Sequence, residues 1–143
     1  MVRLKHRYII GQIISENSLD SEHVLFNSKD LQLALKTSVQ TNFGDFGTGS
    51  FLIFFRYFDA ESGIFVLRCG REHEVQVHFA LSCIDFIKKH PVIVRSLGIA
   101  GSARTCSAKL AESLNIFVEF HENCQEKNNL QRKYSEQLSR LEI

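Results

Sequence analysis

The sequence lacks any apolar run long enough to cross a membrane: its longest hydrophobic stretches cover about five residues, whereas a spanning helix needs about 20. No long apolar run follows the basic start of the chain, so we expect no secretory signal. The four cysteines form no C-x-x-C pair, which favours reduced thiols in the cytosol or nucleus. Proline occurs once, and repeats and linkers rich in Pro, Gly or Ser are missing, which excludes a string of tethered modules.

A single core of ordinary size is what the sequence does have, since hydrophobic residues make up 44% of the 143 positions. The net charge of +1 hides an asymmetry. Residues 1–15 and 86–111 contain three and five cations and no acid, whereas residues 16–85 hold ten acids and five cations. Two acid-free basic segments suggest a surface that faces a polyanion. Local fluctuation on a solvated surface is the equal alternative.

Apolar periodicity predicts eight elements in the order β-α-β-β-α-β-α-α. The second helix is expected to point Val75, Phe79, Cys83 and Phe86 or Ile87 inward. The first six elements match the ferredoxin-like, RRM-like α+β arrangement, to which C-terminal helices are added. We expect an RRM-like domain over residues 1–125 and an amphipathic extension over 126–143. The predicted strands cover 4–14, 50–58, 63–69 and 92–100, and the predicted helices cover 27–44, 72–89, 103–120 and 126–141.

One face of the predicted sheet is unlike that of an RNA-reading RRM. Where an RRM carries stacking aromatics, this chain has Ile64 and Val66, so bases would find no rings there. An apolar face of this kind requires a protein cover, either the chain's own last helices or a partner subunit. We expect the last helix to be offered outward to a partner. The predicted protein-interface residues are Phe51, Ile53, Ile64, Val66, Leu130, Tyr134 and Leu138.

Catalytic and metal-binding patterns are not found. Asp45-Phe46-Gly47 resembles a kinase magnesium motif, but the other kinase motifs are missing. Asp59 and Glu61 lie in a predicted hairpin and are expected to be solvated. His121 and Cys124 have no second ligand pair nearby. We therefore assign no catalytic residue and no metal ligand, and expect the chain alone not to be an enzyme.

Two segments suit the binding of an oxyanion such as RNA phosphate. A strand passes through Gly101 and Ser102 into a helix that carries Arg104 in its first turn, and helix starts attract anions. Arg3, Lys5 and Arg7 alternate along the first strand and so share a face. The alternatives are an ordinary capped helix with a surface arginine and a solvated N-terminal arm.

The same segments resemble a known family, the fifth processing-of-precursor subunits of ribonuclease P/MRP, in register from residue 1 to about 125. The start resembles that family's start, Ser62-Gly-Ile-Phe-Val-Leu-Arg-Cys69 its central hairpin, and Gly101-Ser-Ala-Arg-Thr-Cys106 its Gly-Thr-Ile-Arg-Thr-Cys turn. Gly70 and Ser102-Ala103 depart from the family pattern; Gly70 replaces a basic residue that is common there. From these motifs, the resemblance implies five further residues that contact RNA: Tyr8, Arg56, Arg68, Arg71 and Thr105.

The resemblance implies a non-catalytic subunit that binds and stabilises ribonuclease P RNA and MRP RNA. The holoenzymes remove 5′ leaders from precursor tRNA, which this chain would contact indirectly, and process precursor rRNA. The RNA would be the catalyst and would hold the Mg²⁺, with no cofactor on the protein. The implied neighbours are a TIM-barrel-like subunit and a second small RRM-like subunit, in the nucleus or nucleolus, with no membrane. The alternative function is a protein-interaction or small-ligand regulatory domain on a ferredoxin-like fold.

Overall fold

The computed structural model describes residues 5–15, 26–120 and 124–141 and shows an antiparallel sheet covered by helices on both faces. The strand order is β2-β3-β1-β5-β4. This order confirms the predicted ferredoxin-like α+β class, with the short β4 as an addition. The elements are β1 His6–Ser15, α1 Ser28–Ser50, β2 Phe54–Phe58, β3 Ile64–Gly70, a 3₁₀ turn Arg71–His73, α2 Glu74–Ser82, β4 Phe86–Ile87, β5 His90–Ala100, α3 Ala103–Glu119 and α4 Cys124–Arg140.

Helix α1 begins as the sequence predicts but does not end where it predicts. The side chain of Asn27 accepts a hydrogen bond from the Asp30 amide, and Asp30 accepts one from the Asn27 amide, so the two form a capping box. The predicted end at Gly44 is wrong. Gly44 adopts a φ of 66°, which kinks the helix, and the helix then resumes to Ser50. Glycine accepts this backbone geometry without steric cost, so the chain bends there.

Helix α2 is shorter than predicted and rotated about its axis. It ends at Ser82, and the chain then forms the β4–β5 hairpin through Lys88 and Lys89, both at positive φ. The sequence of α2 contains two apolar stripes, and the one that packs in the core is not the predicted one. The predicted inward positions Val75, Phe79, Cys83 and Phe86 are exposed, Ile87 is buried as predicted, and the residues that face the core are Val77, Ala80 and Leu81.

The sheet separates two apolar cores. Ile9, Phe65 and Leu67 pack beneath α1 and α2 in the first core. Ile10 and Val66, which alternate with them, pack beneath α3 and α4 in the second core. The prediction that Phe51 and Ile53 share a face with Ile64 and Val66 is wrong, because Phe51 follows the end of α1 and both side chains pack in the first core.

The chain's own helices cover the face that bears Ile64 and Val66. Helix α3 contributes Cys106, Leu110, Leu114 and Val118 to this core, and α4 contributes Leu130 and Tyr134. The prediction that Leu130, Tyr134 and Leu138 point outward to a partner is therefore wrong: the first two are buried, and Leu138 is partly buried against the same core. The predicted division between residues 125 and 126 stays a prediction.

Asp59, expected to be solvated, is a buried carboxylate that fastens α4 to the β2–β3 hairpin. Its side chain is 3% exposed and accepts hydrogen bonds from the Ser62 hydroxyl at 2.6 Å and amide at 3.0 Å, and from the Tyr134 hydroxyl at 2.7 Å. Lys133 lies 3.3 Å from Asp59 and 3.0 Å from Glu61. Burial by itself raises the pKa of Asp59, but the hydrogen bonds from Ser62 and Tyr134 hold it below its ordinary 3.8.

We predict that Asp59→Ala lowers the free energy of unfolding by about 3 kcal/mol, because Tyr134 and Lys133 then lose a buried partner. Tyr134→Phe removes one donor to a buried carboxylate and should cost about 2 kcal/mol. Glu61→Gln is the matched control, since Glu61 is exposed and its pair with Lys133 is worth less than about 0.5 kcal/mol. Urea unfolding followed by circular dichroism measures all three. Equal effects of Asp59→Ala and Glu61→Gln would contradict the assignment.

Candidate nucleic-acid interface

One end of the sheet collects three segments that are far apart in the sequence. Strand pairing places His6 opposite Gly70, and Tyr8 opposite both Arg68 and Ala100. The Arg71 amide donates a hydrogen bond to the Lys5 carbonyl at 2.9 Å. Most of the residues predicted to contact RNA therefore lie together at this end of the sheet. We call residues 5–8, 68–71 and 100–105 the strand-end surface.

Helix α3 begins at this surface with an open, acid-free first turn. The Ser102 side chain accepts a hydrogen bond from the Thr105 amide at 3.2 Å and donates one to the Thr105 hydroxyl at 3.0 Å. This cap leaves the amides of Ala103 and Arg104 at the positive end of the helix dipole. Gly101, Ser102, Arg104 and Thr105 are all exposed. The arrangement can accept an oxyanion, as the sequence predicted.

Arg7 in β1 and Lys5, which precedes the strand, differ in how far their side chains contact the rest of the fold. Arg7 approaches the Glu74 carboxylate, with 3.7 Å between Nε and Oε2, and donates from Nη1 to the His6 carbonyl at 3.2 Å. The guanidinium also lies against Gly101, where an added Cβ would stand 3.3 Å from Nη1. Lys5 is exposed. Arg3 lies outside the described residues. Arg7 thus links β1, α2 and the turn into α3, and Lys5 faces solvent.

Tyr8 is a packing residue of this surface. Its side chain is buried in the second core and offers little area for contact with a ligand. The family motif contains this tyrosine, but the sequence alone could not show whether it contacts RNA or packs in the core. Arg71, by contrast, is exposed beside Lys5.

Arg56 and Arg68 lie beside the aromatic ring of Phe54, which was not among the predicted site residues. Arg68 Cζ lies 5.3 Å and Arg56 Cζ 5.9 Å from the ring centroid of Phe54. Phe54 is 49% exposed and pairs with Arg68, so its row continues through Tyr8 to Ala100. The register shifts between Phe55 and Tyr57. This bulge breaks the alternation from which a sequence pattern assigns faces, so Phe54 could not be placed beforehand.

A second feature missed by the sequence analysis is an exposed apolar patch on the opposite side of the sheet. Val75 and Phe79 of α2 are 76% and 51% exposed, and Phe46 of α1 is also exposed. His73 lies 6.4 Å from the ring of Phe46. We call Phe46, His73, Val75 and Phe79 the α1–α2 apolar face. A patch of this kind usually marks a protein interface.

Clustered metal ligands and reactive thiols are not seen in the parts of the chain that the structure describes. They contain no group of three or more His, Cys, Asp or Glu side chains placed to hold a metal ion. Burial raises the pKa of both Cys69 and Cys106 to about 11, which makes these thiols poor nucleophiles. Cys124 is exposed, and His121 falls outside the described ranges. No helix in those ranges is both long enough and apolar enough to cross a membrane.

Comparison with known proteins gives concordant matches. Residues 7–111 match the model of the Rpp14/Pop5 family. The chain is 30% identical over 112 residues to the probable ribonuclease P/MRP protein subunit POP5 of Arabidopsis thaliana, covering 74% of both chains. It is 29% identical over 118 residues to the human subunit POP5, covering 78% of this chain and 71% of that one. It is 28% identical over 108 residues to ribonuclease P protein component 2 of Pyrococcus furiosus, covering 76% and 84%.

A solved structure shares the fold. A chain in the cryo-EM structure of yeast ribonuclease MRP superposes with a TM-score of 0.58 at 12% sequence identity, covering 98% of this chain and 95% of that one. The likeness extends over both helical layers, because so little of this chain is left out.

We predict that Arg104→Ala weakens binding to ribonuclease P RNA about fivefold and lowers the dependence of log K on log salt by about one. The reason is the loss of one phosphate contact at the start of α3. The control is Arg132→Ala, because Arg132 is an exposed arginine on α4 next to Lys133, which pairs with Asp59 in the turn between β2 and β3. Filter binding at several salt concentrations measures both quantities. An unchanged slope in a folded Arg104→Ala protein would contradict the contact.

Proposed function

Because the chain belongs to the Rpp14/Pop5 family, we propose that it is a protein subunit of ribonuclease P and of its relative ribonuclease MRP. The observation that carries the proposal is the family match over residues 7–111. That stretch contains Arg7, Arg68, Arg71 and Arg104, the arginines of the strand-end surface. The alternative, a protein-interaction or small-ligand regulatory domain on the same fold, does not account for this match.

The proposed role is to bind and stabilise the catalytic RNA. Phosphate contacts from cations and helix starts fix the position of an RNA without reading its sequence. The strand-end surface carries both cations and a helix start at one end of the sheet. Cations held at fixed spacing can neutralise phosphates that the folded RNA brings close together, which favours the folded RNA over looser states.

The hydrolysis itself belongs to the RNA in this proposal. Magnesium ions on the RNA would activate water for attack on the phosphodiester of precursor tRNA or precursor rRNA. The chain would contact precursor tRNA indirectly and would contribute no acid, base or nucleophile. Its place of work would be the nucleus, including the nucleolus.

Protein neighbours would dock on the α1–α2 apolar face. Because α4 is fastened to the sheet by Asp59 and Tyr134, the surface left for a partner lies on the other helical layer. Phe79 and Val75 project there as exposed apolar side chains. The expected neighbours are a TIM-barrel-like subunit and a second small RRM-like subunit.

The function is tested by purifying the tagged full-length chain from its own cells. We expect one or two RNAs of several hundred nucleotides to co-purify, and the eluate to remove the 5′ leader of precursor tRNA in the presence of Mg²⁺. Nuclease pretreatment of the eluate should abolish the activity, and the recombinant chain alone should cleave nothing. Cleavage by the recombinant chain that a point mutation in it removes would overturn the non-catalytic role. Absence of such RNAs would overturn the function itself.

The docking face is tested in the same purification. We predict that Phe79→Ser reduces the recovery of protein subunits at least fivefold, because an apolar anchor at an interface centre carries much of the binding energy. Leu33→Ser is the matched control, since Leu33 is an exposed leucine on α1, 13 residues before Phe46 and on the other side of the kink at Gly44. Quantitative mass spectrometry of the eluates decides. Equal recovery from the two variants would show that the face is not the interface.

A further inference from the structure

Phe54, Arg56 and Arg68 form a cluster whose charged groups lack partners among the described residues. Both guanidinium groups lie within 6 Å of one half-exposed ring. The Nε atoms of both arginines are buried and have no hydrogen-bond partner among the residues that the structure describes. Two like charges on one ring repel each other unless an anion joins them.

No carboxylate of the described chain supplies that anion. The ion pairs there are made by Arg7, Lys88 and Lys133, and neither Arg56 nor Arg68 takes part in one. Among the residues that the structure describes, the charge of the cluster therefore has no acidic partner. The ring beside it offers an uncharged, flat surface, so the ligand should combine an anion with a planar group.

The position of the cluster links it to the strand-end surface. Phe54, Arg68, Tyr8 and Ala100 form one row across β2, β3, β1 and β5, and the start of α3 follows Ala100 directly. Strand β2 is the edge of the sheet, so no further strand covers Phe54 on that side. A polyanion lying along the strand ends would reach the cluster without leaving the surface.

We propose that Phe54 stacks on an unpaired base of the bound RNA, while Arg56 and Arg68 bind the phosphates that flank this base. Aromatic rings and guanidinium planes are the usual partners of splayed-out RNA bases. The site lies at the β2 edge of the same sheet face as Ile64 and Val66, where Phe54 stays half exposed while α3 and α4 cover the middle of that face. The inference rests on the proposed function, since it needs a bound RNA.

An acidic protein segment is the competing occupant, and the strand geometry disfavours it. A peptide that binds an open sheet edge adds a strand by regular backbone pairing. The register shift between Phe55 and Tyr57 interrupts that pattern within the five residues of β2, and bulges of this kind protect edges from pairing. A base needs only the ring and the two cations.

The first test compares variants of the full-length chain in binding to ribonuclease P RNA. Phe54→Leu should weaken binding about tenfold without changing the salt dependence, because stacking releases no counterions. Phe54→Tyr keeps the ring and should bind like the original chain. Arg68→Gln should instead lower the salt slope by about one. Thermal melting checks that each variant folds.

The second test keeps an aromatic ring at position 54 and so does not depend on the folding of Phe54→Leu. A photoreactive phenylalanine analogue at position 54 of the assembled complex should crosslink to an RNA base. A crosslink to a protein subunit would overturn the inference in favour of an acidic segment. Full binding by Phe54→Leu, together with weakened binding by Arg104→Ala, would overturn it while leaving the proposed function intact. Absence of RNA binding by the original chain would instead count against the proposed function.

Discussion

A sheet with two apolar faces is the constraint on which the rest of the structure depends. Ile9 and Phe65 make one face apolar, and Ile10 and Val66 do the same for the other. Exposing either face to water would cost about 25 cal/mol of folding free energy for each Å² of apolar surface. The chain satisfies both faces itself, with α1 and α2 on one side and α3 and α4 on the other. Because α3 and α4 cover the middle of the second face, our proposal puts the RNA contacts at the strand ends and at the β2 edge.

The layer formed by α3 and α4 is held to the sheet by a buried polar cluster around Asp59 as well as by apolar contacts. Asp59 is buried with a charge, which is tolerable only because Ser62, Tyr134 and Lys133 all turn donors toward it. This geometry fixes where α4 lies, which apolar packing alone specifies less well. The fixed layer leaves the start of α3 exposed at the strand-end surface.

Much of this organisation could be predicted from the sequence, since local signals were strong. The caps at Asn27 and Ser102 mark helix starts, and the topology that brings Arg68 and Arg104 to one end of the sheet is the predicted one. The failures have physical reasons. Helix α2 carries two apolar stripes, and periodicity cannot say which one the core takes. The stripe of Leu130 is the same whether it faces a partner or the chain's own sheet. Asp59 became buried only through a long-range contact, and the bulge in β2 concealed Phe54.

The central claim is that RNA contacts the ends of the strands and the β2 edge, and not the layer of α3 and α4 that covers the sheet. Ultraviolet crosslinking of the chain within its native ribonucleoprotein, read by mass spectrometry of peptide–nucleotide adducts, tests it most directly. The account predicts adducts at residues 5–8, 54–56, 68–71 and 101–105, with few elsewhere. Adducts concentrated on α4 and on the 59–63 hairpin would contradict it, because RNA would then lie on the layer that closes the sheet.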